Sequence, residues 1–475
     1  MEKLPGMLVL PQLLCGVGYV LSLWLVCVGF VQANPAMDPA EQLRQSEAGR
    51  NSELVQLAGQ LLQQTKQSGG MTWPSQVRTD LLSAAIRHPD WLISEALVTR
   101  AEQEINLARS GLLPRVSLSA DWGKRMTGQN PVSGLPAFNY NSTGMQLGAR
   151  QLLLDFGATF DSIRSASLRK TGARQKSMQT RSEVALTVAV AMLERQRLLL
   201  LQMWEASLAK ERRVVEDKSL ERFNLGIGTI YDYARTKAKT AEAELNLKVY
   251  QSRYQSISAF LAQLGIDEGS VLPPLRVDAS VDAVALTSHP LVREAKSRLN
   301  ALQMDLQAQK GRTKPQVYLD MNANTRSFQT PFEGSSVDRS ALLTLTYDIF
   351  NGGRDQANLA MLASSIEQAE GELARLELDL KDQMVRLQSE YNANQATLPD
   401  LQLTAQMATD VYIASVQLFS YRRGNLNEIL RSEDEMSNQM RRLINSWIDA
   451  SIIGLRFSHT QGRLLRELGI ASTDD

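Results

Sequence analysis

Residues whose types could do chemistry are few in this chain of 475 residues, and they are scattered. His88, His289 and His459 are its three histidines, and two of them precede a proline, where they read as helix-start residues rather than metal ligands. Cys15 and Cys27, the two cysteines, both lie in the first thirty residues. Carboxylates are abundant but ride on helical patterns, where solvated surface is the ordinary reading. No phosphate-binding GxxxxGK[ST] loop, HExxH pair or GxSxG elbow is present. The pattern therefore predicts no catalytic residue, no metal site and no cofactor, and the chain is not expected to be an enzyme. The unusual residues gather at two turns instead. One holds Leu225, Gly226, Gly228 and Asp232; the other runs from Tyr421, Arg422, Arg423, Gly424 and Asn425 to Glu428, Glu433, Asp434 and Glu435. Opposite charges at two turns can pair if the chain brings the turns together, although exposed pairs of this kind contribute at most about 1 kcal/mol each.

The elements that must position those turns repeat. His88-Pro89 and His289-Pro290 are 201 residues apart, as are Pro114 and Pro315, each opening an alternating segment. Further on the offset becomes 196, where Leu154-Asp-Phe-Gly157 parallels Phe350-Asn-Gly-Gly353 and Asp232 parallels Glu428. The change falls in the Gly/Pro/Asn-rich segments 126–144 and 326–340, as a shortened hairpin tip would produce. Each half predicts a helix (90–112; 290–313), two strands around a polar loop, a very long helix (158–222; 354–419) and a return helix (230–264; 427–456). Pro399 is expected to kink or end the second long helix. Gly226 precedes Asp232 by six residues but Gly424 precedes Glu428 by four, which predicts a shortened or slipped second turn.

The long helices need partners. About 65 residues at 1.5 Å rise span roughly 100 Å, more than a globular domain buries alone. Leu359, Ile366, Leu373, Leu380 and Leu387 recur every seven residues, as do Met178, Ala185, Met192, Leu199 and Ala206, the seam of a left-handed coiled coil. The strands (about 115–125, 143–155, 316–326 and 340–350) alternate. Val116, Leu118, Ala120 and Trp122 face away from Ser117, Ser119 and Asp121, and Leu343, Leu345 and Tyr347 face away from Thr344 and Thr346. A sheet packed on helices shows this pattern; so does a transmembrane barrel wall, with Val116, Leu118, Trp122, Leu343, Leu345 and Tyr347 towards lipid.

The N-terminal segment leans towards the second. Residues 1–33 are apolar from Met7 to Val31 and close on Val31-Gln-Ala33, a signal-peptide pattern predicting export and cleavage, with an uncleaved anchor as the other reading. Cleavage leaves a mature chain without cysteine, excluding disulfides and thiol chemistry. Lys+Arg and Asp+Glu are both 51, so nothing marks a nucleic-acid partner. The expected partition is a signal peptide 1–33, a helical extension 34–72, a first repeat 73–272, a second repeat 273–460 and a tail 461–475.

Pro114 before a strand, Leu154-Asp-Phe-Gly157 and Phe350-Asn-Gly-Gly353 before long helices, and Phe223-Asn-Leu-Gly226 with Asp232 at a helical turn resemble the TolC-like outer-membrane efflux and type I secretion channel family over residues 75–460. The resemblance implies a mainly α fold with a β-barrel part and two structural repeats. A homotrimer would form a twelve-stranded outer-membrane barrel, four strands per chain, continued by a long periplasmic α-helical coiled-coil tunnel. It implies a periplasmic adaptor and an inner-membrane ABC transporter or proton-driven pump as partners, with outer-membrane lipid around the barrel. The chain would be a passive exit duct, with Asp232, Tyr421, Arg422, Arg423 and Glu428 at a periplasmic gate. Leu225, Gly226, Gly228, Gly424 and Asn425 would form adaptor-contact turns. The Tyr421-Arg-Arg-Gly424 turn is similar to those of adhesin-secreting members and inclines the reading to type I secretion over efflux. The runner-up is a periplasmic coiled-coil scaffold on an uncleaved anchor.

Overall fold

The computed structural model describes residues 53–66, 75–127, 138–267, 269, 283–329, 334–420 and 425–469. The expected signal peptide, the hairpin tips around 128–137 and 330–333, and Tyr421, Arg422, Arg423 and Gly424 lie outside them.

Ten helices and four strands are described. In order they are α1 (53–66), α2 (Ser75–Arg87), α3 (Pro89–Ser110), β1 (Arg115–Thr127), β2 (Phe138–Leu154), α4 (Ala158–Asn224), α5 (Ile230–Gln263), α6 (Ala283–Ser288), α7 (Pro290–Arg312), β3 (Gln316–Gln329), β4 (Gly334–Thr346), α8 (Arg354–Ser420), α9 (Leu426–Thr460) and α10 (Leu464–Glu467). The duplication is visible in the boundaries: α4 and α8 are both 67 residues long and start 196 residues apart, as do α5 and α9. α3 and α7 both start on a His-Pro pair. His88 accepts the amide of Asp90 at 3.3 Å and His289 that of Leu291 at 3.2 Å, each capping a helix whose first residue is proline.

Pro399 neither ends nor interrupts α8, which continues to Ser420. The missing amide frees one carbonyl a turn earlier, and Pro399 lies on an exposed face where water can satisfy it. β4 stops at Thr346, short of the expected 350, so Tyr347 is not a strand residue. Thr346 pairs with Gln316, and the next partner would be Pro315, which has no amide to give the ladder.

The chain divides into two compact units, each described separately. One gathers residues up to 84 with 188–277 and 391–453. Its core holds Trp204, Leu208, Met192, Leu430, Met436 and Met440, and α1 adds Leu54, Ala58 and Leu61 from its buried face. The other unit comprises 85–187, 278–390 and 454–475. Here Trp91, Ile105, Val292, Ala301 and Phe457 are buried. Burial lowers the pKa of His289 to about 4, helped by the nearby His459, so this cap works as a neutral ring.

Candidate functional site

The four strands form one antiparallel sheet in the order β1-β2-β3-β4. Opposed residues share a face, so the register sorts the side chains. Val116 pairs with Ala149 and Leu118 with Leu147; Ala149 and Leu147 continue to Met321 and Ala323, and Leu319 and Val317 to Leu343 and Leu345. That face is mainly apolar, with Gln151 beside Leu319 and Arg339 beside Ala323 as exceptions. The opposite face carries Ser117, Ser119, Asp121, Gln146, Asp320, Asn322 and Thr344, and there Arg150 binds Asp320 at 3.3 Å while lying 4.1 Å over the Tyr318 ring.

The apolar face is uncovered. Leu118 is 66% exposed, Trp122 82%, Leu343 72% and Leu345 67%. A soluble sheet hides its apolar side under a helix, and among the described residues of this unit no helix lies on it. Five of the six expected lipid-facing residues, Val116, Leu118, Trp122, Leu343 and Leu345, stand on this bare face; Tyr347 is exposed just past the end of β4.

The second feature belongs to the other unit, at the helix ends around residues 224–230 and 420–426. α4 ends at Asn224 and α5 begins at Ile230; α8 ends at Ser420 and α9 begins at Leu426. Five residues separate the helices in each case (225–229 and 421–425), and the expected shortening or slip of the second turn falls on 421–424, outside the described residues. What moves is a glycine, because at the constant offset Gly424 corresponds to Gly228, and Arg422 stands where the first turn has Gly226. Gly226 has φ +73, and a Cβ on Gly228 would lie 3.0 Å from the Phe223 amide nitrogen, so the first turn requires both glycines. Their amides close the end of α4 through bonds such as Gly228 N to Arg222 O at 2.9 Å.

Thr229 caps α5. Its hydroxyl accepts the Asp232 amide at 3.1 Å and donates to the Asp232 carboxylate at 2.7 Å. Asn425 occupies the corresponding place before α9, accepting the Asn427 amide at 3.1 Å, with Glu428 exposed in the first helical turn. The first turns of α5 and α9 meet: Arg235 of α5 donates to the Asn427 side chain at 2.5 Å. Leu225, Ile227, Ile230 and Tyr231 are exposed around the first turn.

Behind the turns is a buried ion cluster that sequence reasoning did not single out. The Arg212 guanidinium, 3% exposed, donates to Glu433 at 3.1 Å, to Asp434 at 2.7 Å and to the Lys239 carbonyl at 2.9 Å. Lys239 reaches Asp434 at 3.0 Å and Glu242 at 2.9 Å. Burial pushes the Glu433 carboxyl up to about 7 against the pull of Arg212, with Glu211 and Asp434 adding to the push. Burial acts to lower the Lys239 pKa, but its bonds to Glu242 and Asp434 outweigh that and raise it. The readable signal was that Glu205 and Arg212 flank the Leu199 and Ala206 seam of α4, where a charge must enter the helix contact with a partner.

Residues 81–265 match the family model described as outer membrane efflux protein. The outer membrane protein TolC of Escherichia coli (strain K12) is 24% identical over 416 residues, covering 80% of this chain and 81% of TolC. Among solved structures, the outer membrane protein VceC of Vibrio cholerae superposes with a TM-score of 0.70 at 18% identity, covering 81% of this chain and 96% of VceC. The CmeC outer membrane channel of Campylobacter jejuni gives 0.71 at 12% identity, covering 84% and 89%. These similarities fix the fold: mainly helical, with four antiparallel strands contributed by each chain.

Proposed function

We infer that the chain belongs to the TolC-like outer-membrane efflux family and is one protomer of an outer-membrane export channel. The observation that carries this reading is the bare apolar face of the sheet, which suits hydrocarbon and nothing else in the chain. Four strands leave β1 and β4 with open edges, and an open edge in a bilayer leaves backbone groups unpaired. Two copies would close eight strands, whose lumen side chains fill; three close twelve, wide enough for a conduit. The protein acts as a homotrimer, and its polar face lines the passage.

The mouth lies at the two turns. The Arg235–Asn427 bond supports their convergence, and the gate reading places Tyr421, Arg422 and Arg423 against Asp232 and Glu428. Exposed Leu225 and the glycine turns at Gly226, Gly228, Gly424 and Asn425 offer a surface for a periplasmic adaptor. The energy comes from an inner-membrane ABC transporter or proton-driven pump, and the Tyr421-Arg-Arg-Gly424 turn favours protein secretion by the type I route.

Membrane fractionation with N-terminal sequencing tests the placement. A mature chain starting at Asn34 in the outer membrane agrees with the duct; an intact Met1 in the inner membrane refutes it. For the cargo, deleting the gene should remove a large secreted protein from the medium. Sensitisation to small antibiotics without that loss would assign efflux instead.

A further inference from the structure

The Arg212 cluster is the last of three charged rungs between α4 and α9. Arg197 binds Asp449, Arg441 binds Glu205 at 2.6 Å, and Arg212 binds Glu433 and Asp434. The partners advance along α4 while retreating along α9, as an antiparallel pair requires. The sign alternates: the cation sits on α4, then on α9, then on α4 again. Glu205 is fully buried and Arg212 and Glu433 nearly so. Between the rungs, the buried Trp204 indole donates to Ser437 at 3.1 Å.

The duplication makes this ladder informative, because α8 and α5 are the repeat counterparts of α4 and α9, with nearly the same lengths. At the offset of 196, the ladder positions of α4 fall on Ala393, Leu401 and Ala408 of α8, which carry no charge. Those of α9 fall on Arg253, Leu245 and Lys237 of α5. Docked on α4 in place of α9, α5 would set Arg253 against Arg197 and Lys237 against Arg212. It would also leave Glu205 buried opposite a leucine, and put Ala241 where Ser437 accepts the Trp204 indole. Like charges and unpaired buried groups are the strongest local penalties available to a helix contact.

We propose that this alternating ladder selects α9 over its duplicate α5 for the docking face of α4, so that the two halves of the chain cannot exchange places within one protomer or between copies. Two equal-length helical hairpins with similar Leu/Ala seams could otherwise swap at little cost, and a domain-swapped assembly is the expected failure of such a chain. The charges supply the discrimination that the seams lack. The inference stands on the intrachain contacts alone and does not depend on what the protein conducts.

Lys237 and Arg253 are both exposed on α5, so they can be recoded without touching the core. The double change Lys237→Glu, Arg253→Asp gives α5 the charges that match Arg212 and Arg197. The control, Lys210→Glu with Lys248→Glu, makes the same change in net charge at exposed positions of α4 and α5 outside the ladder. Full-length protein is refolded from urea into detergent and the native oligomer is counted. The recoded chain should give at least a two-fold lower native yield than the control, with additional oligomers, while its native fraction melts with that of Lys237→Gln alone, which loses only the contact of Lys237 with the Tyr233 ring at 5.6 Å. Equal yields from the two variants would overturn the proposal. So would a melting loss in the recoded native fraction beyond that of Lys237→Gln, which would place the recoded positions in further native contacts.

Discussion

Replacing Arg212 by methionine should destabilise the protein by an amount that depends on pH, and the geometry fixes the direction. Arg212 is the only side chain hydrogen-bonded to the Glu433 carboxylate among the described contacts, whereas Asp434 retains Lys239 at 3.0 Å. Removing one partner of a buried ion pair costs about 3–5 kcal/mol, because the other charge is left without compensation. Glu433 can escape that cost by taking a proton. Its folded pKa, about 7, already lies above the 4.5 of a free glutamate. A raised carboxylate contributes stability that is complete below the unfolded value and lost as pH rises through the folded one. Without Arg212 pulling down, the pKa of Glu433 climbs further. At pH 5 the variant should therefore lose only its hydrogen bonds, about 1–3 kcal/mol, and at pH 8 the full charge penalty. Urea unfolding followed by helical circular dichroism, in detergent at both pH values, measures the difference. The double change Arg212→Met, Glu433→Leu should recover most of the loss at pH 8, since an apolar pair can replace a buried ionic one. An equal cost at both pH values, or a cost under about 1 kcal/mol at pH 8, would mean that the cluster is hydrated and the argument fails.

Three further outcomes are expected. Leu345→Arg, on the bare face of β4, should cost about 2–4 kcal/mol in lipid, while Thr344→Arg on the opposite face should be far milder; equal losses of heat-resistant oligomer would remove the sheet from the membrane. Thr229→Ala deletes the cap of α5 and should cost about 1 kcal/mol, read as a lower melting temperature, with Thr229→Ser restoring it. Gly226→Ala forces a side chain into φ +73 and should cost about 1 kcal/mol of local strain, visible as faster amide exchange from 222 to 230 and weaker adaptor capture.

Periodicity is a local property, and what rests on it was legible. The long helices follow from the unbroken seams, the His-Pro caps from residue order, and the strand faces from alternation. Pairings between distant helices were not legible. Arg212 and Glu433 stand 221 residues apart, and Arg441 and Glu205 stand 236 apart. Nothing in either segment says which charge faces which until the helices are docked. Glu433 and Asp434 had been assigned to the entrance by their nearness to a turn, while Arg212 lay unremarked in mid-helix. A glycine is a strong local mark, and matching Gly424 to Gly226 draws attention away from the constant offset of 196 at which α4 and α8, and α5 and α9, begin. Pro399 misled only as a stop signal, because a proline ends a helix where the freed carbonyl has no alternative partner, and on an exposed face water is one.

The uncovered sheet has a thermodynamic consequence for how much folded protein exists at all. Its apolar face and its two open edges are satisfied by no contact within one sheet, so the ordered strands and the association of chains form a single equilibrium. For the homotrimer proposed above, the population of the ordered sheet follows the law of mass action with a third-order dependence on chain concentration. Dilution should lower its melting temperature while leaving the heptad-paired helices comparatively unmoved. Expression level, and not only sequence, thereby becomes a determinant of whether this part of the molecule has a structure.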